Sequence, residues 1–180
     1  MSIFQRASLD LTTGKGRTLE GLAFRWETPS LVQDPGSPRY LEEFARSSTA
    51  KTLRERAIFP LYNEHHHDEG MLGGVTFSPA SEGLAFRSEV PQTDDGDQLL
   101  EEINSGRMRS VSVGFRAFKN AKRADVRGPV TVRQEIGLIE LSVCRDGQHD
   151  GAEILAVRAK LATPKLDAAK RRAALLVVSY

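Results

Sequence analysis

Three short segments of the chain carry side chains that could perform chemistry, and the first is rich in histidine. Three consecutive histidines at positions 65–67, followed by Asp68, come directly after an apolar stretch at residues 57–63. A histidine at the end of a strand is anchored yet open to solvent, and the near-neutral pKa of an imidazole suits a general base. Imidazoles also bind zinc, but adjacent histidines on an extended chain point to opposite faces, and the only other histidine is His149. The segment therefore predicts a general base, with a metal site or a solvated polar loop as alternatives.

The second segment, residues 110–115, alternates as a strand does. Ser110, Ser112 and Gly114 share one face, and the other face consists of two valines and a phenylalanine. A face of small residues leaves room for another molecule, so a serine there could be a nucleophile. The glycine would let a substrate backbone approach closely. A strand with a solvent-facing edge of serine and glycine is the structural alternative.

The third segment places an acid in an apolar strand at residues 136–143. Glu140 needs a partner there, because a buried ionised carboxylate is costly unless it is paired. A histidine partner would make it functional, since a carboxylate can orient an imidazole and stabilise the imidazolium. Arg133 or Arg145 would make it a structural ion pair, and both alternatives stay open. The nearby Cys144 is interpreted as a small buried hydrophobe and not as a nucleophile.

The elements that must position these residues are mostly strands. Strands are predicted at residues 19–26, 57–63, 73–79, 83–90, 110–119, 131–143 and 154–157, and helices at 40–56 and 94–104. Residues 27–38 form a loop, and Thr93 or Asp94 can cap the second helix. Strands that follow each other as hairpins favour a mainly β fold with flanking helices (α+β), an antiparallel sheet or small barrel, over repeated βαβ units.

Bulk properties are those of one soluble intracellular domain. A chain of 180 residues can bury one hydrophobic core. Its formal net charge of +1 does not favour binding to nucleic acid or to an anionic membrane. The single cysteine excludes an internal disulfide, which fits a reducing cytoplasm. We expect no signal peptide and no membrane span, because no apolar run approaches the roughly 20 residues that a span needs.

The domain is expected to span residues 1–160, followed by a basic C-terminal tail or helix at 161–180. The tail is rich in alanine, lysine and arginine, with Pro164 near its start. A helix docked on the barrel and a tether to an assembly partner are its two interpretations.

The ordered segments resemble the tailed-phage prohead maturation serine protease family, which also occurs in gene transfer agents. The resemblance covers residues 21–158. The sequence Ser112-Val113-Gly114-Phe115 is similar to the family's Ser-x-Gly-Phe nucleophile strand, and residues 139–143 resemble its Glu-containing strand. The family usually has one histidine before a Leu-Gly step. Here His65 has the longer family spacing to Gly73 and is preferred over His66 and His67.

This resemblance implies the fold of herpesvirus assemblins, a small β-barrel surrounded by helices. It implies a serine endopeptidase with Ser112 as nucleophile, His65 as base and Glu140 as the acid, without a metal or another cofactor. The implied substrates are the major capsid protein, a scaffold segment and often the protease itself, inside assembling proheads in the bacterial cytoplasm. A homo-oligomer is compatible with this picture. A non-catalytic capsid- or scaffold-binding protein on the same fold is the alternative.

Overall fold

Nine strands form one mixed sheet in the computed structural model, which describes residues 16–34 and 36–145 and the backbone of 153–158. The strands are β1 (Thr18–Arg25), β2 (Ser30–Val32), β3 (Tyr40–Phe44), β4 (Phe59–Asn63), β5 (Gly73–Pro79), β6 (Gly83–Glu89), β7 (Ser110–Arg123), β8 (Val130–Cys144) and β9 (Glu153–Arg158). The helices are α1 (Ala50–Glu55) and α2 (Asp94–Asn104), and a 3-10 turn covers His67–Glu69.

The long strand β8 organises the sheet. Along one edge it pairs antiparallel with the whole of β7. Its other edge is shared by two short strands, β3 at its start and β4 at its end, and both run parallel to it. The sheet continues from β4 through β5, β6 and β1 to β9 in antiparallel pairs. It also curls, so that β7 comes close to β1 and β9, which gives a half-barrel.

The inner face of the curled sheet holds the hydrophobic core. Its centre is a row of buried rings in which Phe24 stacks on Phe44 and Phe44 meets Phe115 edge-on. Helix α2 covers part of this core with Leu99, Leu100 and Ile103, as its apolar stripe predicts. The Oγ1 atom of Thr93 accepts a hydrogen bond from the amide of residue 96, so the predicted cap is confirmed.

The prediction of a helix over residues 40–56 is wrong for its first half, which is the strand β3. Ion pairs made by two buried glutamates explain the difference. Glu42 is fully buried and accepts a 2.6 Å hydrogen bond from Nε of Arg133, and Glu43 pairs with Arg123. Leucine and glutamate favour helix locally, but the pairing of β3 with β2 and β8 satisfies its backbone and its carboxylates together. The second half of the predicted helix is α1.

Other strand predictions agree with the structure apart from their ends and their direction. The hairpin of β5 and β6 is confirmed, β7 and β8 are longer than predicted, and the predicted loop at 27–38 contains the short β2. The predicted mainly β fold is confirmed, but the sheet is mixed and not antiparallel throughout, because β3 and β4 both join β8 in parallel. None of the described helices is long and apolar enough to cross a membrane. The predicted tail at 161–180 lies outside the described residues.

Candidate active site

The chain leaves β4 through a turn with an unusual backbone. Glu64 and His65 both adopt left-handed conformations, with φ of 43° and 63°. Such conformations are costly for residues other than glycine and persist only where the surroundings hold them. Here the amide of Glu64 donates to the carbonyl of Val143 at 2.9 Å, and the amide of His66 donates to that of Asn63 at 2.8 Å. The turn bends the chain back toward the end of β8.

This bend brings His65 onto Glu140. The Nδ1 atom of His65 lies 2.5 Å from Oε1 of Glu140. The Glu140 side chain is 0% exposed and that of His65 is 11% exposed. The second carboxylate oxygen, Oε2, accepts a 2.8 Å hydrogen bond from Oγ of Ser142 and lies 3.5 Å from Nε2 of His67. Glu140 is therefore held by side chains on both of its oxygens.

The partner of Glu140 is thus a histidine and not an arginine. Arg133 binds Glu42, and the Nε atom of Arg145 lies 3.6 Å from Oε1 of Glu64. The sequence left a histidine and an arginine open as partners of Glu140. The structure has the histidine, which is the partner that could take part in catalysis.

The carboxyl of Glu140 is ionised despite its burial. Burial alone would raise its pKa, but the hydrogen bond and charge of His65, the hydrogen bond from Ser142 and the charge of His67 together lower the pKa below its usual range. A buried carboxylate can then fix the orientation of the imidazole and stabilise an imidazolium.

Gly114 makes room for this carboxylate. In the register of β7 and β8, Gly114 lies opposite Glu140. A Cβ atom at position 114 would lie 2.6 Å from Oε1 and 2.7 Å from Cγ of Glu140. The sequence predicted that this glycine lets a substrate approach, whereas the structure shows the acid itself against it.

Ser112 lies on the same face of the sheet as Glu140. It pairs in register with Ser142 on β8, so it is the diagonal neighbour of Glu140. Diagonal positions in an antiparallel pair are about 7–8 Å apart. Ser112 is 2% exposed.

The His65 ring contacts two residues of β8. The ring contacts Glu140 through Nδ1, and its Nε2 lies 4.0 Å from Sγ of Cys144. Glu140 and Cys144 flank Ser142 on one face of β8, and Ser142 is the in-register partner of Ser112.

The other two histidines differ from His65. His66 is 49% exposed and its Nδ1 lies 3.0 Å from Oε1 of Glu69. His67 is 46% exposed, and its ring centre lies 4.6 Å from that of Tyr62. His65 is therefore the least exposed of the three and has the shortest contact with Glu140.

Cys144 is a poor nucleophile in this environment. Burial, together with the negative charges of Glu64 and Glu140, raises the pKa of its thiol to about 12. The thiol therefore stays protonated at neutral pH, and Sγ points to the carbonyl oxygen of Ser142 at 3.8 Å. This agrees with the prediction of a small buried hydrophobe.

Neither of two cavities in the described part of the chain includes this cluster. One, of about 200 Å³, lies between the 3-10 turn and α2, and the other, of about 370 Å³, lies beside α1. None of His65, Ser112 and Glu140 lines either of them.

A histidine paired with a buried carboxylate is a feature of serine hydrolases, and a comparison with protein families points to the same class. The model of the caudovirus prohead serine protease family matches residues 4–166. The chain belongs to this family. As a prohead serine protease it is a hydrolase of capsid maturation, with capsid proteins as its general class of substrate. No curated protein and no solved structure matched the chain, so the likeness to assemblins stays a prediction.

Two residues of this prohead protease site were missed by sequence reasoning. Ser142 donates to the acid, and Tyr62 packs on His67. Ser142 could have been found from strand alternation, because it follows Glu140 by two residues and must share its face. Tyr62 could not, because its place depends on the parallel pairing of β4 with β8.

Proposed function

We propose that this prohead protease is an endopeptidase with Ser112 as nucleophile, His65 as general base and Glu140 as the acid that orients His65. The observation that carries the proposal is the 2.5 Å contact between Nδ1 of His65 and the fully buried carboxylate of Glu140. A carboxylate on Nδ1 leaves Nε2 free to accept a proton, which is the role of the histidine in a triad.

The reaction is acyl transfer through a covalent intermediate. Nε2 of His65 accepts the hydroxyl proton as Oγ of Ser112 attacks the carbonyl carbon of a peptide bond. The imidazolium is stabilised by the charge of Glu140 and then protonates the leaving amine. A water molecule, deprotonated by the same imidazole, hydrolyses the ester and restores Ser112. Backbone N–H groups near the nucleophile would stabilise the oxyanion.

Serine is preferred over cysteine as the nucleophile for a physical reason. A cysteine attacks as its thiolate, and the thiol of Cys144 has a pKa raised to about 12. A serine needs no ionisation before the reaction, since the base removes its proton as the bond forms.

The substrates that fit this proposal are the major capsid protein, a scaffold segment and the protease itself. Processing would occur within the assembling prohead in the bacterial cytoplasm. The catalytic domain would span residues 1–160, with residues 161–180 as a segment that docks or is removed by self-cleavage.

A comparison of two serine variants tests the proposal. Purified wild-type chain, Ser112→Ala and Ser110→Ala are incubated with the capsid protein of the same phage, and the products are measured by mass spectrometry. Ser112→Ala should cut neither the capsid protein nor itself and should keep its melting temperature. Ser110→Ala, a buried serine on the same face, should remain active. Cutting by Ser112→Ala would overturn the assignment. A wild-type chain that binds capsid protein without cutting it would favour the non-catalytic alternative.

A further inference from the structure

Three candidate metal ligands meet at one point of this site. One ligand atom from each of His65, His67 and Glu140 lies within 4.8 Å of the others. The extended-chain argument against a metal site does not hold here, because the residues form a tight turn. The left-handed conformation of His65 and the 3-10 turn that begins at His67 direct both imidazoles to the same carboxylate.

The donor set suits zinc. Two imidazole nitrogens and one carboxylate oxygen with an open fourth position are a common zinc environment, and the metal–ligand distances there are near 2.0–2.2 Å. Tetrahedral ligands at these distances lie about 3.4 Å apart. The present 3.5 Å between Nε2 of His67 and Oε2 of Glu140 matches that spacing. His65 contacts the other carboxylate oxygen, Oε1, with Nδ1 at 2.5 Å, so with Oε2 as the ligand atom the His65 ring would move from Oε1 toward the ion.

The surroundings support such a site. Ser142 donates a 2.8 Å hydrogen bond to Oε2 of Glu140, the oxygen that faces His67, and Tyr62 packs against the ring of His67. Contacts of this kind orient metal ligands and raise the affinity for the metal. His67 is nearly half exposed, so an ion has a path from solvent.

We propose that zinc binds to His65, His67 and Glu140 and reversibly inhibits the protease. Binding of the metal stands on the geometry alone, whereas inhibition rests on the proposed function. A zinc ion on Nδ1 of His65 separates the imidazole from Glu140 and leaves the ring proton on Nε2. That nitrogen then cannot accept the proton of Ser112, so the nucleophile is not activated.

Binding is tested without any measurement of activity. Full-length Ser112→Ala protein, which the proposed function makes resistant to self-cleavage, is titrated with zinc against a chromophoric chelator. The expected result is one zinc per chain. Adding His67→Ala should weaken the affinity at least tenfold. Adding His66→Ala is the matched control and should leave it unchanged, since His66 contacts Glu69 instead. Melting temperatures without zinc show whether each protein is folded. Absence of stoichiometric zinc, or equal losses in the two histidine variants, would overturn the site.

Inhibition is measured as the ratio of activity with and without zinc, so that a change in basal activity does not matter. Wild-type chain should lose most of its activity at saturating zinc and regain it with chelator, and His67→Ala should need at least tenfold more zinc. Zinc binding without inhibition of an active chain would overturn the inhibitory role and leave the proposed function intact. A chain that binds zinc but cuts nothing in chelator would overturn both the inhibitory role and the proposed function.

Discussion

Gly114 and Glu140 face each other across the β7–β8 pair, and the carboxylate occupies the space where a side chain on residue 114 would begin. A Cβ atom there would lie 2.6 Å from Oε1 of Glu140, well inside normal contact distance. The carboxylate is buried and bonded on both oxygens, so it cannot move without losing His65 or Ser142. Gly114, two residues from the predicted nucleophile Ser112, thus leaves space for the carboxylate of Glu140.

Replacement of Gly114 by alanine should therefore damage the site more than the fold. We expect Gly114→Ala to lower kcat/KM by about 100-fold, a typical effect of a misplaced catalytic group. The overlap should reduce the free energy of unfolding by about 1–3 kcal/mol. Gly137→Ala is the control on the same strand pair, because its Cβ would meet the exposed and movable ring of Phe118. If Gly114→Ala and Gly137→Ala lose activity equally, the loss in Gly114→Ala does not come from displacement of Glu140.

Glu140→Gln should slow the reaction strongly without ending it. The amide keeps the shape of the side chain but removes the charge that stabilises the imidazolium, and the corresponding loss in a well-studied triad is about 10⁴ in turnover. Steady-state kinetics and a melting curve measure the two effects separately. If Glu140→Gln instead lowers the melting temperature strongly while its folded fraction keeps nearly wild-type activity, Glu140 has a structural role.

Alanine substitutions of the three consecutive histidines should have different effects on proteolytic activity. His65→Ala should abolish proteolysis, because His65 has the short contact with the buried acid. His66→Ala should stay near wild type, and His67→Ala should remain active with a loss of less than tenfold. Peptide cleavage assays on the three variants check this order. Full activity of His65→Ala would remove the proposed base.

Cys144 should be dispensable and unreactive. Because its thiol pKa is raised to about 12, iodoacetamide at pH 8 should label the folded chain far more slowly than the unfolded chain. Cys144→Ala should keep its activity within a few-fold, and mass spectrometry reports the labelling. Rapid labelling that inactivates the enzyme would instead point to a thiol nucleophile.

Truncation tests whether the C-terminal tail at residues 161–180 belongs to the domain. If residues 161–180 dock the protease, a chain ending at Lys160 should fold and cut a peptide substrate but fail to enter assembling proheads. Melting curves, peptide cleavage and prohead incorporation are the three measurements. A truncated chain without a melting transition would show that the tail belongs to the core.

Local patterns were enough to predict much of this protein. Alternation along one strand placed Ser110, Ser112 and Gly114 on one face, because side-chain direction in a strand depends only on the strand itself. The cap at Thr93 follows in the same way from residues within one turn of α2. The ordered motifs also indicated the family that the comparison shows.

Tertiary structure alone decided the rest, because those features depend on contacts between residues far apart in the chain. β3 is a strand and not a helix since Glu42 meets Arg133, 91 residues away. Glu140 binds a histidine because β4 ends beside β8, which brings together residues 75 positions apart. No local pattern encodes the register between strands, and that register determines which side chains meet in this site.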